Sequence, residues 1–137
     1  MTVQIFLDTG YFIALLNERD QYHEQAVKLS EQYDNASFIT TDVILLELGN
    51  ALSRSHKSTA ITLINCILAD ERTNIVHLTP EWFAIAFERY QRYLDQSWGL
   101  VDCFSFVVME HYRVSQALTF DQHFTQAGFQ VLTTNRK

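Results

Sequence analysis

The chain reads "QIFLDTGYFIAL" at residues 4–15, and this stretch decides how the rest is read. A β-branched and aromatic run ending at Leu7 has the composition of a buried strand. Asp8-Thr9-Gly10 interrupts it, and an apolar segment with helical spacing follows from Tyr11. Strand, acid and helix in immediate succession place a carboxylate at the C-terminal end of a strand. In open α/β sheets that end is where ligands bind. Asp-Thr-Gly is also the triplet around the catalytic carboxylate of aspartic proteases, so the remaining elements must arbitrate.

Working outward, "ASFIT" (36–40), "NIVHL" (74–78), "SQALTF" (115–120) and "FQVLT" (129–133) read as further short strands. Helical spacing predicts helices over 11–17, 22–33, 42–54 and 58–70, the second with Ala26, Leu29 and Tyr33 on one face. Thr41 or Asp42 would cap the third. Thr79-Pro80-Glu81 is a clean helix start, with Thr at the N-cap and Pro at the first helical position, and that helix runs to about residue 95. "LVDCFSFVVMEHY" (100–112) is apolar nearly all round, the pattern of a buried helix. Strands alternating with helices predict an α/β fold, a mostly parallel sheet covered on both faces. Aspartic proteases are almost entirely β and pair two Asp over one proton. A largely helical chain with one Asp-Thr-Gly does not fit that class.

With 137 residues the chain suits one domain, 1–137, and 47% hydrophobic content with mean hydropathy -0.06 suits a proper core. No apolar run approaches the roughly 18–20 residues of a membrane span. The N-terminus lacks the features of a secretory signal, so the expected location is the cytoplasm, with no membrane partner. Cys66 and Cys103 lie in apolar helical patterns and are expected as small buried hydrophobes, not as a disulfide or zinc site. A net charge of -6 opposes non-specific nucleic-acid binding, which draws on Lys and Arg. Setting four acids aside as cation ligands would leave only -2.

Four acids stand out. Asp8 follows "QIFL" and Asp121 follows "SQALTF", where each would otherwise cap the next helix. Glu47 borders an apolar stripe between Val43 and Ala51, so its carboxylate must reach water, a partner or a cation. Asp102 sits among Leu100, Val101, Cys103 and Phe104; a place near a helix N-terminus would also favour it there. One explanation covers all four. Hard divalent cations select oxygen ligands, and acids converging at one sheet edge need cations to neutralise them. The expected chemistry of such a cluster is phosphodiester hydrolysis.

At these residues the chain resembles a family. "FLDTGYFIALLNERDQYHEQA", "TTDVILLELGNAL", "SWGLVDCFSFVVM" and "ALTFDQHFTQAGFQVL" are similar, in order, to the successive blocks of PIN-domain proteins. The similarity is closest to the VapC-type toxin ribonucleases of bacterial toxin–antitoxin pairs. It implies a Rossmann-like α/β/α sandwich with about five strands and an acidic tetrad binding Mg²⁺ or Mn²⁺. Asp8, Glu47, Asp102 and Asp121 fall on the tetrad positions, with Asp8 and Asp102 as the most direct ligands. Thr9 and Thr119 match supporting hydroxyl positions. RNA is the implied substrate; a homodimer and a cognate antitoxin, docking on segment 11–70, are the implied partners.

Ten Lys and Arg leave little basic surface for RNA. Arg54 and Lys57 could flank the site, and Arg89, Arg92 and Arg113 could form a second patch. Tyr11 and Phe12 could stack on a base or pack in the core. The five His show no ligand spacing, and His123 is the nearest to the site. The alternative is a module of the same fold that binds RNA or protein without catalysis. The low positive charge speaks for it.

Overall fold

The structure, a computed structural model, describes residues 3–134. Among these, strands β1 (Gln4–Leu7), β2 (Ser37–Thr41), β3 (Thr73–Val76), β4 (Gln116–Leu118) and β5 (Gln130–Val131) form one sheet, ordered β3-β2-β1-β4-β5. Every pairing is parallel, so the expectation of a mostly parallel sheet sharpens to a fully parallel one. The helices are α1 (Thr9–Leu16), α2 (His23–Gln32), α3 (Asp42–Ala51), α4 (Lys57–Ala69), α5 (Pro80–Arg92), α6 (Leu100–His111) and α7 (His123–Gln126).

The path β1-β2-β3 steps one way from β1, and the path through β4 to β5 lies on its other side. Right-handed crossovers then put α1–α4 on one face of the sheet and α5–α7 on the opposite face. Side chains of β1 obey the strand alternation. Leu7 lines a small cavity with Tyr11, Phe12, Leu29 and Ile67 on the first face. Phe6 meets Phe124 of α7 on the second, ring centroids 6.0 Å apart. Residues 103–109 of α6 are all buried, as its unbroken apolar run requires. Phe106 stands edge-on to Phe124 at 5.1 Å and to Trp98 at 5.2 Å, closing the core on that side.

The helix starts follow local chemistry. Thr41 Oγ1 accepts the Ile44 N–H and Thr79 Oγ1 accepts the Trp82 N–H, both at 3.1 Å, with Pro80 behind Thr79. The ends are less regular. The third helix stops at Ala51, and β4 and β5 are shorter than their apolar runs. α7 is a single turn that leaves no periodicity to read. Gly128, at φ +98°, turns the chain from α7 into β5 in a conformation that suits glycine alone.

Two cysteine expectations part company. Cys103 is buried, but Cys66 is exposed on α4, where Ala60 and Ile67 are buried and Leu63 and Ile64 pack against the core. The apolar pattern of α4 is wider than its buried face, since Ile61 and Leu68 are exposed too. Among the described residues no helix is long and apolar enough to cross a membrane.

Candidate active site

The register sets the site. Leu7 pairs with Leu118, so the residues that follow, Asp8 and Thr119, leave the sheet side by side. They do so between β1 and β4, where the crossovers change face, the switch point at which parallel sheets bind ligands. Asp8 has the backbone of an N-cap to α1, yet its side chain makes no cap hydrogen bond. Its Oδ2 instead accepts the Thr119 hydroxyl at 2.6 Å. Thr119 Oγ1 in turn accepts the Asp121 N–H at 3.0 Å, tying two acids to one hydroxyl.

Glu47 finds a partner across the helices. The Thr9 hydroxyl, in the first turn of α1, donates to its Oε1 at 2.7 Å. Asp102 and Asp121 combine a local role with a place in the cluster. Asp102 Oδ2 accepts the Gly99 N–H at 3.1 Å, the helix-start contact an acid makes there, and lies 2.8 Å from His123 Nδ1. Asp121 Oδ1 accepts the His123 N–H at 2.9 Å and lies 3.4 Å from the same ring nitrogen. All four acids line one open cleft of about 700 Å³ together with Thr9 and Gly10.

Burial is the main force on Asp8, which is only 9% exposed. It pushes the carboxyl from 3.8 up to about 6, and the charges of Asp102 and Asp121 add to the effect. The Thr119 hydroxyl and the Thr9 N–H oppose it without cancelling it. Among the described residues no basic side chain offsets the burial of that carboxylate.

The donor set fits a cation. The hydrogen bonds described above fall on one oxygen of each acid: Oδ2 of Asp8 and Asp102, Oε1 of Glu47, Oδ1 of Asp121. The second oxygens of Glu47, Asp102 and Asp121 take no hydrogen bond from the described residues, while Asp8 has the Thr9 N–H against it as well. An all-oxygen set from four carboxylates suits a hard divalent ion. One oxygen from each of Asp102 and Asp121 and a ring nitrogen of His123 also lie within 4.8 Å of one another.

Several cleft residues escape a reading of the sequence. Asp20 lines it as a further acid, its Oδ1 accepting the Tyr22 N–H at 2.8 Å. Tyr22 stacks on Phe120, rings 4.5 Å apart and 3° from parallel, and both line the cleft. A tight Asp-x-Tyr turn and a Phe beside Asp121 were the available signals, but neither names its partner. Tyr11 and Phe12 are buried in the core and offer no face to a base. Arg89 is spent on a bidentate pair with Glu110, and Arg92 on Glu88, so they form no free patch with Arg113. Arg54 and Lys57 are exposed but outside the residues lining the cleft.

Fold and site together define an α/β protein that gathers carboxylates at the switch point of a parallel sheet. A family model of the PIN domain matches residues 5–130, and the chain belongs to the PIN domain family. Over 125 residues it is 29% identical to the 23S rRNA-specific endonuclease VapC20 of Mycobacterium tuberculosis, covering 91% of this chain and 95% of that protein. The crystal structure of VapC20, a sarcin–ricin loop cleaving toxin, superposes with a TM-score of 0.84 at 27% identity, over 94% of this chain and 98% of that one. VapBC2 from Rickettsia felis, bound to a DNA fragment from their promoter, gives 0.70 at 13% identity, over 95% and 98%. FitAcB from Neisseria gonorrhoeae gives 0.63 at 15%, over 96% of each chain. The last two likenesses concern the fold alone.

Proposed function

We propose that this chain is a metal-dependent endoribonuclease, the toxin of a toxin–antitoxin pair acting in the cytoplasm. One observation carries the reading. Four carboxylates from separate segments meet in one cleft, and no basic side chain among the described residues offsets the burial of the most buried of them. Asp8 and Asp102 would hold Mg²⁺ or Mn²⁺ directly, with Glu47 and Asp121 completing the shell, partly through water. The bound ion would supply Lewis-acid stabilisation of the phosphate and a more acidic attacking water. The chain's own residues set the stage. Thr119 and Thr9 fix the rotamers of Asp8 and Glu47, and the four acids fix the charge that draws the ion in. The stacked Tyr22 and Phe120 offer an aromatic wall of the kind on which nucleobases stack. Arg54 and Lys57, exposed beyond the cleft, are available to phosphates further along an RNA.

The likeness to VapC20 makes a ribosomal stem-loop the first substrate to try. The assay incubates total RNA and a sarcin–ricin stem-loop with the purified chain in Mg²⁺, in Mn²⁺ and in EDTA, beside Asp102→Asn. Discrete cleavage requiring both metal and Asp102 is the expected result. A folded, antitoxin-free chain that cuts neither RNA in either metal would favour the non-catalytic binding module.

The raised Asp8 adds a pH prediction. A cation must displace the proton that Asp8 retains up to about pH 6. Mn²⁺ affinity should therefore climb by up to about tenfold per pH unit below 6 and flatten above it. Titration calorimetry at pH 5, 6, 7 and 8 measures this directly, and a flat profile would contradict it.

An antitoxin docking on segment 11–70 is supported by the exposed Leu46, Ile61 and Leu68 of α3 and α4. An Arg or Lys from such a partner would satisfy the acids in place of metal. A homodimer is supported by an exposed stack on α5, Phe83 on Phe87 at 5.8 Å and Phe87 on Tyr90 at 6.3 Å.

A further inference from the structure

His123 has no part in the roles assigned above, yet its ring is the most connected group beside the acids. Its Nδ1 lies 2.8 Å from Asp102 Oδ2 and 3.4 Å from Asp121 Oδ1. Its Nε2 lies 3.3 Å from Ser97 Oγ, and its backbone N–H holds Asp121 at 2.9 Å. Its side chain is 23% exposed, so the ring is flanked but not sealed.

We propose that His123 is a positioning residue, an imidazole brace between Asp102 and Asp121 that makes each present its remaining oxygen to a cation in the cleft. The inference rests on the nuclease reading above.

The tautomer follows from the partners. An ionised carboxylate only accepts, so Nδ1 carries the hydrogen, and in the neutral ring Nε2 is then the acceptor of the Ser97 hydroxyl. Were the ring protonated, the same hydroxyl would turn and accept. The brace therefore works in either charge state, because Ser97 can play either role. Its consequence is directional. Asp102 Oδ2 is already committed to Gly99 N–H and His123 Nδ1–H, and Asp121 Oδ1 to the His123 backbone N–H, with the same ring 3.4 Å away. Each acid is thereby left one oxygen for a cation. Without the ring, no hydrogen bond among the described residues ties Asp102 to the loop that carries Asp121, and the two carboxylates repel. Partners that orient metal-binding groups in this way are typically worth about 10–100-fold in metal affinity.

The test compares Mn²⁺ affinity of the wild type, His123→Ala, His123→Asn and Ser97→Ala by titration calorimetry, with metal-free melting curves for each. His123→Ala should bind Mn²⁺ about tenfold or more weakly. His123→Asn, whose amide NH₂ can reach the place of Nδ1–H, should recover most of the loss. Ser97→Ala should lose a few-fold. On RNA, His123→Ala should lower kcat at limiting Mn²⁺ and regain most of it at saturating Mn²⁺, a rescue that a general loss of structure would not give. If His123→Ala unfolds, the Asn and Ser97 variants carry the comparison. Wild-type affinity in the variants that fold overturns the brace and leaves the nuclease reading intact. Mn²⁺ binding with the expected losses but no cleavage by wild type overturns the nuclease reading and keeps the brace. No Mn²⁺ binding by wild type overturns both.

Discussion

Asp8→Asn is expected to remove RNA cleavage and, in the same protein, to raise the stability of the metal-free fold at neutral pH. The two effects share a cause. Asp8 is held at about 6 in the folded chain against an ordinary 3.8, chiefly by burial. The folded state therefore keeps a proton that the unfolded state has lost across that window. For an acid raised on folding, stability is greatest below the lower value, falls as pH rises through the window, and is flat above it. At pH 7.5 the ionised carboxylate thus costs at most about 3 kcal/mol. Asn removes the charge while its side-chain oxygen still accepts from Thr119. The metal-free variant should melt several degrees higher at pH 7.5, with the advantage shrinking towards pH 4. Wild type should regain the difference on adding Mn²⁺, and the variant should not. Cleavage should drop by about 10³-fold or more, the effect of losing several kcal/mol of metal-dependent stabilisation. An unchanged melting temperature would show that burial does not penalise this carboxylate. Retained cleavage would remove Asp8 from the site.

The second large effect lies in the core behind the acids. Phe124 is fully buried, and its ring packs on Phe6 at 6.0 Å, Phe106 at 5.1 Å and Phe129 at 6.5 Å. Phe124→Ala leaves a cavity among rings on a strand and a helix that cannot readily close over it. The expected cost is about 3–5 kcal/mol. That is a large share of the roughly 5–15 kcal/mol that holds a domain of ordinary size together. Urea unfolding should show it as a lower midpoint with little change in slope. Phe124 adjoins His123, so the variant should also bind Mn²⁺ more weakly at temperatures where it remains folded. Phe124→Leu, which refills much of the space, should recover most of the stability. A midpoint shift under 1 kcal/mol for the Ala variant would mean that the site collapses freely, against the close ring packing.

The class of fold could be read along the chain because its signals are local. Apolar strands of β-branched residues, a Thr-Pro helix start at 79–80 and an apolar helix at 100–112 each state their structure within a few residues. The four acids were legible for a related reason. A carboxylate set in an apolar pattern is costly, and the sequence displays that cost wherever the chain ends up. What joins them was not legible. Asp8 looks like a cap until the register of β1 with β4 places Thr119 beside it. The Tyr22–Phe120 stack and the Asp102–His123 contact link residues 98 and 21 positions apart along the chain, so no local spacing encodes them. Arg89 reads as a free cation until α6 supplies Glu110, whereas Glu88 and Arg92 already stand one turn apart on α5.

The sequence by itself determined the class of fold, most of its elements and which acids need an explanation, since those follow from side-chain chemistry and periodicity. Only the tertiary structure decided which acid loses its solvent, which oxygen of each is held, and that a histidine without any ligand spacing braces two of them. Those properties belong to pairs of groups brought together by the sheet, and a pair has no energy until the fold sets its distance.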